Sequence, residues 1–483
     1  MSYSCMKESG AVLKQELWQN SARTLAEYIR ARTISPVELL DSQLVAIERF
    51  NPTLNAIVTL AEEEARSAAR RAEQAVMRGD VVGPLHGLPI GIKDIVATAG
   101  IRTTYGSPLY ADHVPQEDAE VVRRLRTAGA IVLAKTNTPE FAAGANTVNA
   151  VFGATRNPWN PALSPAGSSG GSAAAVASGM LPIAQGTDFG CSIRIPAAFC
   201  GIVGIRPTPG LTPNYPMPLA WDPGQVHGPL ARTAEDAAMM LDAMVGFSRL
   251  SPISIAPPWH AACAIVERAQ DAKGLRVAFA RDIAGIGVDS DVEAICRKAA
   301  NALRHDGAAV EEIELDLSAG RKPYKTWRGV WMVGQQLRNL GRLDAFGDNL
   351  RGNVETGLTI STTDIAVAEE ARFSLFQKMS ALFERYDFVL TPAAPVRPYP
   401  VELNFPREIN GKVFDDYIDW IAPAFLITLL SLPAASVPAG LTTDGLPVGL
   451  QIVGPRFMEP AILGLAKLIQ RANPVGWPAI SRS

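Results

Sequence analysis

The sequence predicts an α/β protein built around one large core, and three observations predict it. Short apolar segments of strand length alternate with longer segments of helical periodicity along the chain. Of 483 residues, 47% are hydrophobic and 19% charged, the make-up of a folded chain with a sizeable interior. No Ser-, Pro- or charge-rich linker separates independent units, so a single domain over residues 1–483 is expected where length alone would suggest roughly three.

The elements follow in order. Ser35-Pro36-Val37-Glu38 opens a helix: Ser can cap it, Pro suits its first turn and Glu can reach back in a capping box. Val37, Leu40, Leu44 and Ile47 then make one apolar face, and Thr24-x-x-Glu27 starts a helix before it. A charged helix is expected near 61–79, with Glu62, Glu63, Glu64, Arg66, Arg70 and Arg71 reading as a solvated face. Gly83 to Asp94 runs from a turn-rich loop into an apolar segment that ends at Lys93. A helix around 117–128 precedes the strand Ile131-Val132-Leu133-Ala134. Residues 164–204 are rich in glycine, which permits tight turns and close backbone approach, yet Val176, Leu181, Ile183, Ile193, Ile195 and Phe199 would be costly to expose. That stretch is therefore expected to be buried. Strand, helix and strand follow at 275–280, 290–305 and 310–315, later strands at 388–390 and 448–453, and a last helix at about 459–471.

A net charge of -3 offers no basic surface for nucleic acid or anionic lipid, so neither partner is expected. Five cysteines (Cys5, Cys191, Cys200, Cys263, Cys296) form no C-x-x-C and pair with no histidine at metal-ligand spacing, so neither disulfides nor a metal site are expected. Lys7, Glu8, Lys14 and Glu16 interrupt any apolar run at the N-terminus, and no 18-residue apolar stretch occurs, so the expected location is the cytoplasm.

Breaking a stable acyl bond near neutral pH needs an activated nucleophile, donors for a developing oxyanion and an acid for the leaving group. His113, His260 and His305 lie in stretches without motif character; His86 and His227, each beside a glycine, are better placed. A lysine can serve as base instead when burial disfavours its ammonium form. Lys93, among Leu88, Ile90, Ile92 and Ile95, has that setting, and Lys135, after another apolar strand, shares it. The hydroxyl candidates fall in Ala166-Gly167-Ser168-Ser169-Gly170-Gly171-Ser172 and in Gly186-Thr187-Asp188-Phe189-Gly190-Cys191-Ser192-Ile193-Arg194.

Those two motifs, downstream of Gly91-Ile92-Lys93-Asp94, resemble the amidase signature family. The similarity continues through Asn157-Pro158-Trp159-Asn160, Gly228 to Thr233, Tyr386 to Pro392 and Asp444 to Gln451, in family order. The resemblance implies a large twisted mixed β-sheet covered by helices on both faces. The signature core would lie at about 80–205, with variable substrate-pocket segments at about 210–260, 315–360 and 395–426. It implies hydrolysis of linear amides through an acyl-enzyme on Ser192, with Lys93 as base acting through Ser168, which follows a cis peptide. Backbone N–H groups of Phe189, Gly190, Cys191 and Ser192 would form the oxyanion hole, with Asp188, Arg194 and Ser169 in support. No metal or organic cofactor is implied; a homodimer is.

Two positions depart from the family pattern. Cys191 replaces a glycine directly before the nucleophile, which would be strained if the position needs positive φ, and a thiol there is a nucleophile in principle. Ala166 for glycine reads as the milder change. Three other readings compete. Gly167-Ser168-Ser169-Gly170-Gly171 satisfies the nucleophile-elbow pattern of an α/β-hydrolase esterase with Ser169, although two prolines break the strand that should precede it. Members of the same family include carbamate or ester hydrolases and a partner-dependent glutamine-hydrolysing component of an amidotransferase. The substrate is expected to be a neutral hydrophobic or aromatic amide, because the variable segments carry Tyr215, Trp221, Trp327, Trp331, Tyr417 and Trp420 as pocket candidates.

Overall fold

The computed structural model describes residues 16–482. Of the N-terminal charges, Lys7, Glu8 and Lys14 lie outside that range, as does Cys5. The fold centres on an 11-stranded sheet. In chain order its strands are β1 (Ile57–Leu60), β2 (Pro89–Lys93), β3 (Ile131–Thr136), β4 (Ile183–Asp188), β5 (Val203–Arg206), β6 (Val226–Ala231), β7 (Arg276–Phe279), β8 (Ala309–Glu312), β9 (Phe388–Pro392), β10 (Ala434–Leu441) and β11 (Pro447–Val453). Their order across the sheet is β1-β3-β2-β4-β6-β5-β10-β11-β9-β7-β8. β2 runs parallel to β3 and β4, β7 runs parallel to β8 and β9, and the strands between pair antiparallel, so the sheet is mixed.

Both faces are covered, and the two-residue period of the strands shows how. On β7, Val277 and Phe279 join one apolar cluster while Ala278 joins another. On β10, Ala435 and Val437 join the first and Ala434 the second. Nearer the other edge Val132, Ile183 and Ala231 belong to the first cluster, and Leu133, Ala184 and Leu230 to a third. One cluster thus lines one face and two share the other, each roofed by helices. The expected twisted mixed sheet between helical layers is present.

Local rules set many boundaries. The helix Pro36–Leu54 has Ser35 and Glu38 in a reciprocal capping box with Pro36 in the first turn. The helix before it, Ala22–Arg30, is capped by Ser21, so it begins ahead of the expected Thr24. The charged helix is Glu62–Arg78, the next Glu120–Thr127 and the last Glu459–Ala472. The glycine-rich stretch is buried as expected, and it holds the helices Gly170–Ala177 and Arg194–Cys200 around β4. A Cβ at Gly171 would lie 2.3 Å from the Asn137 backbone nitrogen, so glycine is what lets this first helix dock against the end of β3. Among the described residues no helix is long and apolar enough to cross a membrane.

Candidate active site

β2 carries Lys93 to the sheet interior and stops there. The side chain is fully buried, and its Nζ lies 2.5 Å from Ser168 Oγ and 3.0 Å from Thr187 Oγ1. Burial lowers its pKa to about 7, against the opposing pull of the Asp188 carboxylate. Both contacting groups are hydroxyls, which can donate to a neutral amine as well as accept from an ammonium. Lys135 is equally buried and also lowered to about 7, so burial alone does not separate the two lysines. Their partners do. Lys135 donates to the Val96 carbonyl at 2.5 Å and to Thr98 and Thr103 at 2.9 Å each, and the Asp94 carboxylate opposes the lowering that burial imposes on it. It touches neither signature serine.

The two serine motifs are pinned together. The Ser169 N–H donates to the Ser192 carbonyl at 3.1 Å, and Cys191 Sγ lies 3.4 Å from the Gly167 carbonyl. The Gly167–Ser168 peptide is cis. Ser168 and Ser192 consequently line one pocket, together with Thr187, Phe189, Gly190 and Cys191.

Residues 189–193 form the turn from β4 into the helix Arg194–Cys200, and a buried ion pair holds it. Arg194 donates to both Asp188 carboxylate oxygens, at 3.0 and 2.8 Å, and to the carbonyls of Gly190 at 2.9 Å and Ala424 at 2.6 Å. Gln451 Oε1 and Thr428 Oγ1, both at 2.7 Å, take further N–H groups. These contacts and a backbone bond from Ile193 hold the Asp188 carboxyl below its ordinary pKa although burial pushes the other way. Arg206, from β5, adds a bond to the Asp188 carbonyl at 2.6 Å. Among the described residues, the backbone N–H groups of Phe189, Gly190, Cys191 and Ser192 have no protein acceptor.

The two departures from the family pattern exchange weight. Cys191 is not among the residues with positive φ, whereas Ala166 is, at 61°. The glycine-demanding position is therefore Ala166, because an L-residue meets its own carbonyl there and glycine does not. Burial pushes the Cys191 thiol up to about 12, which removes it as a thiolate nucleophile at neutral pH.

The remaining histidine and serine candidates have structural partners. His227, fully buried on β6, sits between Gln185 Nε2 and Asn214 Oδ1 at 3.0 Å each, and burial lowers it to about 4, so its imidazole is neutral. His86 Nε2 bonds the Ala72 carbonyl at 2.9 Å. Ser169 is buried with its Oγ 3.3 Å from both the N–H and the carbonyl of Thr187. The elbow reading fails on this geometry, since a hydroxyl locked to a strand backbone has no histidine and no opening to substrate.

Residues 38–463 match the Amidase family. The chain belongs to the amidase signature family. It is an amide-hydrolysing enzyme. It is 34% identical to an acylamidase of Rhodococcus erythropolis over 95% of this chain and 97% of that one. It is also 34% identical to a glutamyl-tRNA(Gln) amidotransferase component from Methylococcus capsulatus, over 93% and 97%. Among solved structures, a bacterial aryl acylamidase of the amidase signature family superposes with a TM-score of 0.89 at 30% identity, covering 96% of this chain and 98% of that chain.

In this amidase most of the remaining pocket lining comes from segments distant in sequence from the serines. Trp331 stacks on Phe189 with ring centroids 4.3 Å apart, and Met332, Tyr417 and Ile421 continue the apolar surface. Of the six aromatic candidates, Trp331 and Tyr417 line the pocket and four do not. Trp221 is 77% exposed, Trp420 is fully buried in the core against Phe199 and Tyr399, and Trp327 packs behind Phe189 with its Nε1 on Asp222. Tyr215 holds the Glu120 N–H at 2.9 Å through its carbonyl. Composition identifies aromatic-rich segments but does not say which ring turns inward. The residues missed are Thr187, Arg206, Gln225, Met332, Ile421 and Arg328. Thr187 lies inside the second hydroxyl motif, beside Asp188, so the sequence does carry a signal for it; Arg328 carries none.

Proposed function

We propose that this enzyme hydrolyses amides with a hydrophobic or aromatic portion, through an acyl-enzyme on Ser192. The observation that carries the reading is the contact of buried Lys93 Nζ with Ser168 Oγ at 2.5 Å, in a pocket that Ser192 shares. Neutral Lys93 takes the Ser168 proton as Ser168 takes that of Ser192, whose Oγ bonds to the substrate carbonyl carbon. Negative charge then develops on the carbonyl oxygen, where the unpartnered N–H groups of residues 189–192 are the available donors. Collapse breaks the C–N bond, and the departing nitrogen receives a proton from Ser168, which recovers one from Lys93. Water then cleaves the acyl ester by the same relay, and a carbamate or ester would use the same steps.

Phe189, Trp331, Met332 and Ile421 offer the substrate an apolar wall. The glutamine-hydrolysing reading is less well supported. Among the described residues lining the pocket none is Asp or Glu, so a bound α-ammonium group would find no counter-charge.

The test is a peptide map after reaction with a fluorophosphonate, which modifies an activated serine. We expect label on Ser192, and a labelling rate at least 100-fold lower in Lys93→Ala. Label on Ser169, or labelling of Ser192 that is indifferent to Lys93, would overturn the proposal.

A further inference from the structure

We infer that Arg328 is an anion-recognising residue of the pocket, and that the amide substrate also carries a carboxylate. This rests on the reading of Ser192 as the nucleophile in that pocket. Arg328 lies on the helix Arg321–Gln335, one turn before Trp331 and Met332, and lines the pocket with Ser192 while only 5% exposed. Its partners are all neutral: Nε donates to Asn353 Oδ1 at 2.9 Å, Nη2 to the Tyr417 hydroxyl at 2.7 Å and Nη1 to the Tyr324 hydroxyl at 3.4 Å. The two other buried arginines among the described residues, Arg194 and Arg206, both face the Asp188 carboxylate.

A guanidinium cannot shed its proton to escape burial, and an isolated cation in a dry site is costly. Five N–H donors exceed the three acceptors that the protein supplies, so the fork has capacity left for a ligand. A carboxylate supplies the missing charge and accepts two parallel bonds. Nothing acidic in the pocket lining competes for it. Gln225 also lines the pocket, and its Nε2 meets nothing stronger than Met217 Sδ at 3.9 Å, leaving an amide donor for a second acceptor. Beside the apolar wall, these groups describe a substrate with a hydrophobic body and one negative charge. On this inference the neutral amides expected from the sequence would be the slower substrates.

The test pairs binding with turnover. Thermal shifts are measured with benzoate and succinate against benzyl alcohol, in wild type, Arg328→Gln and Arg328→Lys, after circular dichroism has established that each folds. We expect the carboxylates to stabilise wild type and not Arg328→Gln. In kinetics, kcat/KM is measured for succinamate, phthalamate and terephthalamate against butyramide and benzamide. We expect at least one carboxylated amide to exceed its uncharged counterpart roughly 10- to 100-fold, as a charge-assisted contact would give. That ratio should collapse toward one in Arg328→Gln and recover in part in Arg328→Lys. A wild type that neither binds carboxylates nor prefers a carboxylated amide would overturn the inference. So would an Arg328→Gln that slows both classes equally and leaves the ratio intact, the mark of a structural arginine. Carboxylate binding that depends on Arg328 in a protein whose Ser192 takes no fluorophosphonate would sink the acyl-enzyme reading and leave the anion site standing.

Discussion

Lys93 can accept a proton only when it has none to spare, and its burial sets the pH at which that happens. With the pKa lowered to about 7, the free-base fraction rises with pH, and below that point kcat/KM should climb about tenfold per pH unit before levelling above it. The profile is best measured on an uncharged amide such as benzamide, so that no substrate group titrates. An acidic optimum would remove Lys93 as the base. The three triad candidates were legible because each sits in a short motif of uncommon residue types. Backbone angle is not written in a motif, which is why the weights of Ala166 and Cys191 were exchanged. At φ 61°, Ala166 pays a left-handed penalty of about 1–2 kcal/mol that glycine escapes, against about 0.4–1 kcal/mol of extra chain entropy that glycine loses on folding. Ala166→Gly should therefore stabilise the fold by roughly 0.5–1 kcal/mol, read as a higher denaturant midpoint at unchanged slope. A lower midpoint would mean that the Ala166 methyl contributes packing that outweighs the backbone term.

At the scale of elements, the turn between β4 and the helix Arg194–Cys200 depends on a single guanidinium that reaches Asp188, Gly190, Ala424, Thr428 and Gln451. A lysine there keeps the charge but offers three donors from one atom, which cannot span partners on opposite sides of a planar fork. Arg194→Lys should cost roughly 3 kcal/mol or more, by leaving buried acceptors unpaired, and should lower turnover with it. Thermal unfolding and kcat measured on the same preparation check this, and wild-type values of both would show the turn to be held by other means. Elements with one wet face were readable from periodicity. Those buried all round were not: Gly170–Ala177 and Ala422–Leu429 have every residue inside, so no polar stripe marks them as helices. β4 and β6 are equally enclosed, and their glycine, glutamine, histidine and proline residues hide the strand signature. Arg328 was illegible for a related reason, since one cation on a helix that also carries Arg321, Lys322 and Lys325 reads as part of a solvated face.

Across the whole molecule, the groups proposed to break the bond and those proposed to face the substrate come mostly from different parts of the chain. Lys93, Ser168 and residues 188–192 lie within one run of about a hundred positions around β2 and β4, while the wall, Phe189 apart, is assembled from Gln225, Arg328, Trp331, Met332, Tyr417 and Ile421. The first set is tied to sheet backbone; the second stands on helices and loops packed over it. Selectivity should therefore be separable from turnover by substitutions in the second set. Met332, 1% exposed and on the pocket wall, is the residue to truncate, since methionine packs through a flexible chain and its loss opens space without leaving a polar group unpaired. Removing its buried side chain forfeits roughly 1.5–3 kcal/mol of apolar contact, part of which a bulky substrate would have shared. Met332→Ala should lower the preference for a bulky anilide over acetamide about tenfold, chiefly through a higher KM for the bulky substrate. A fall confined to kcat and equal for both substrates would place Met332 in support of the serines, and would move the acyl-binding wall to the Phe189 and Trp331 rings alone.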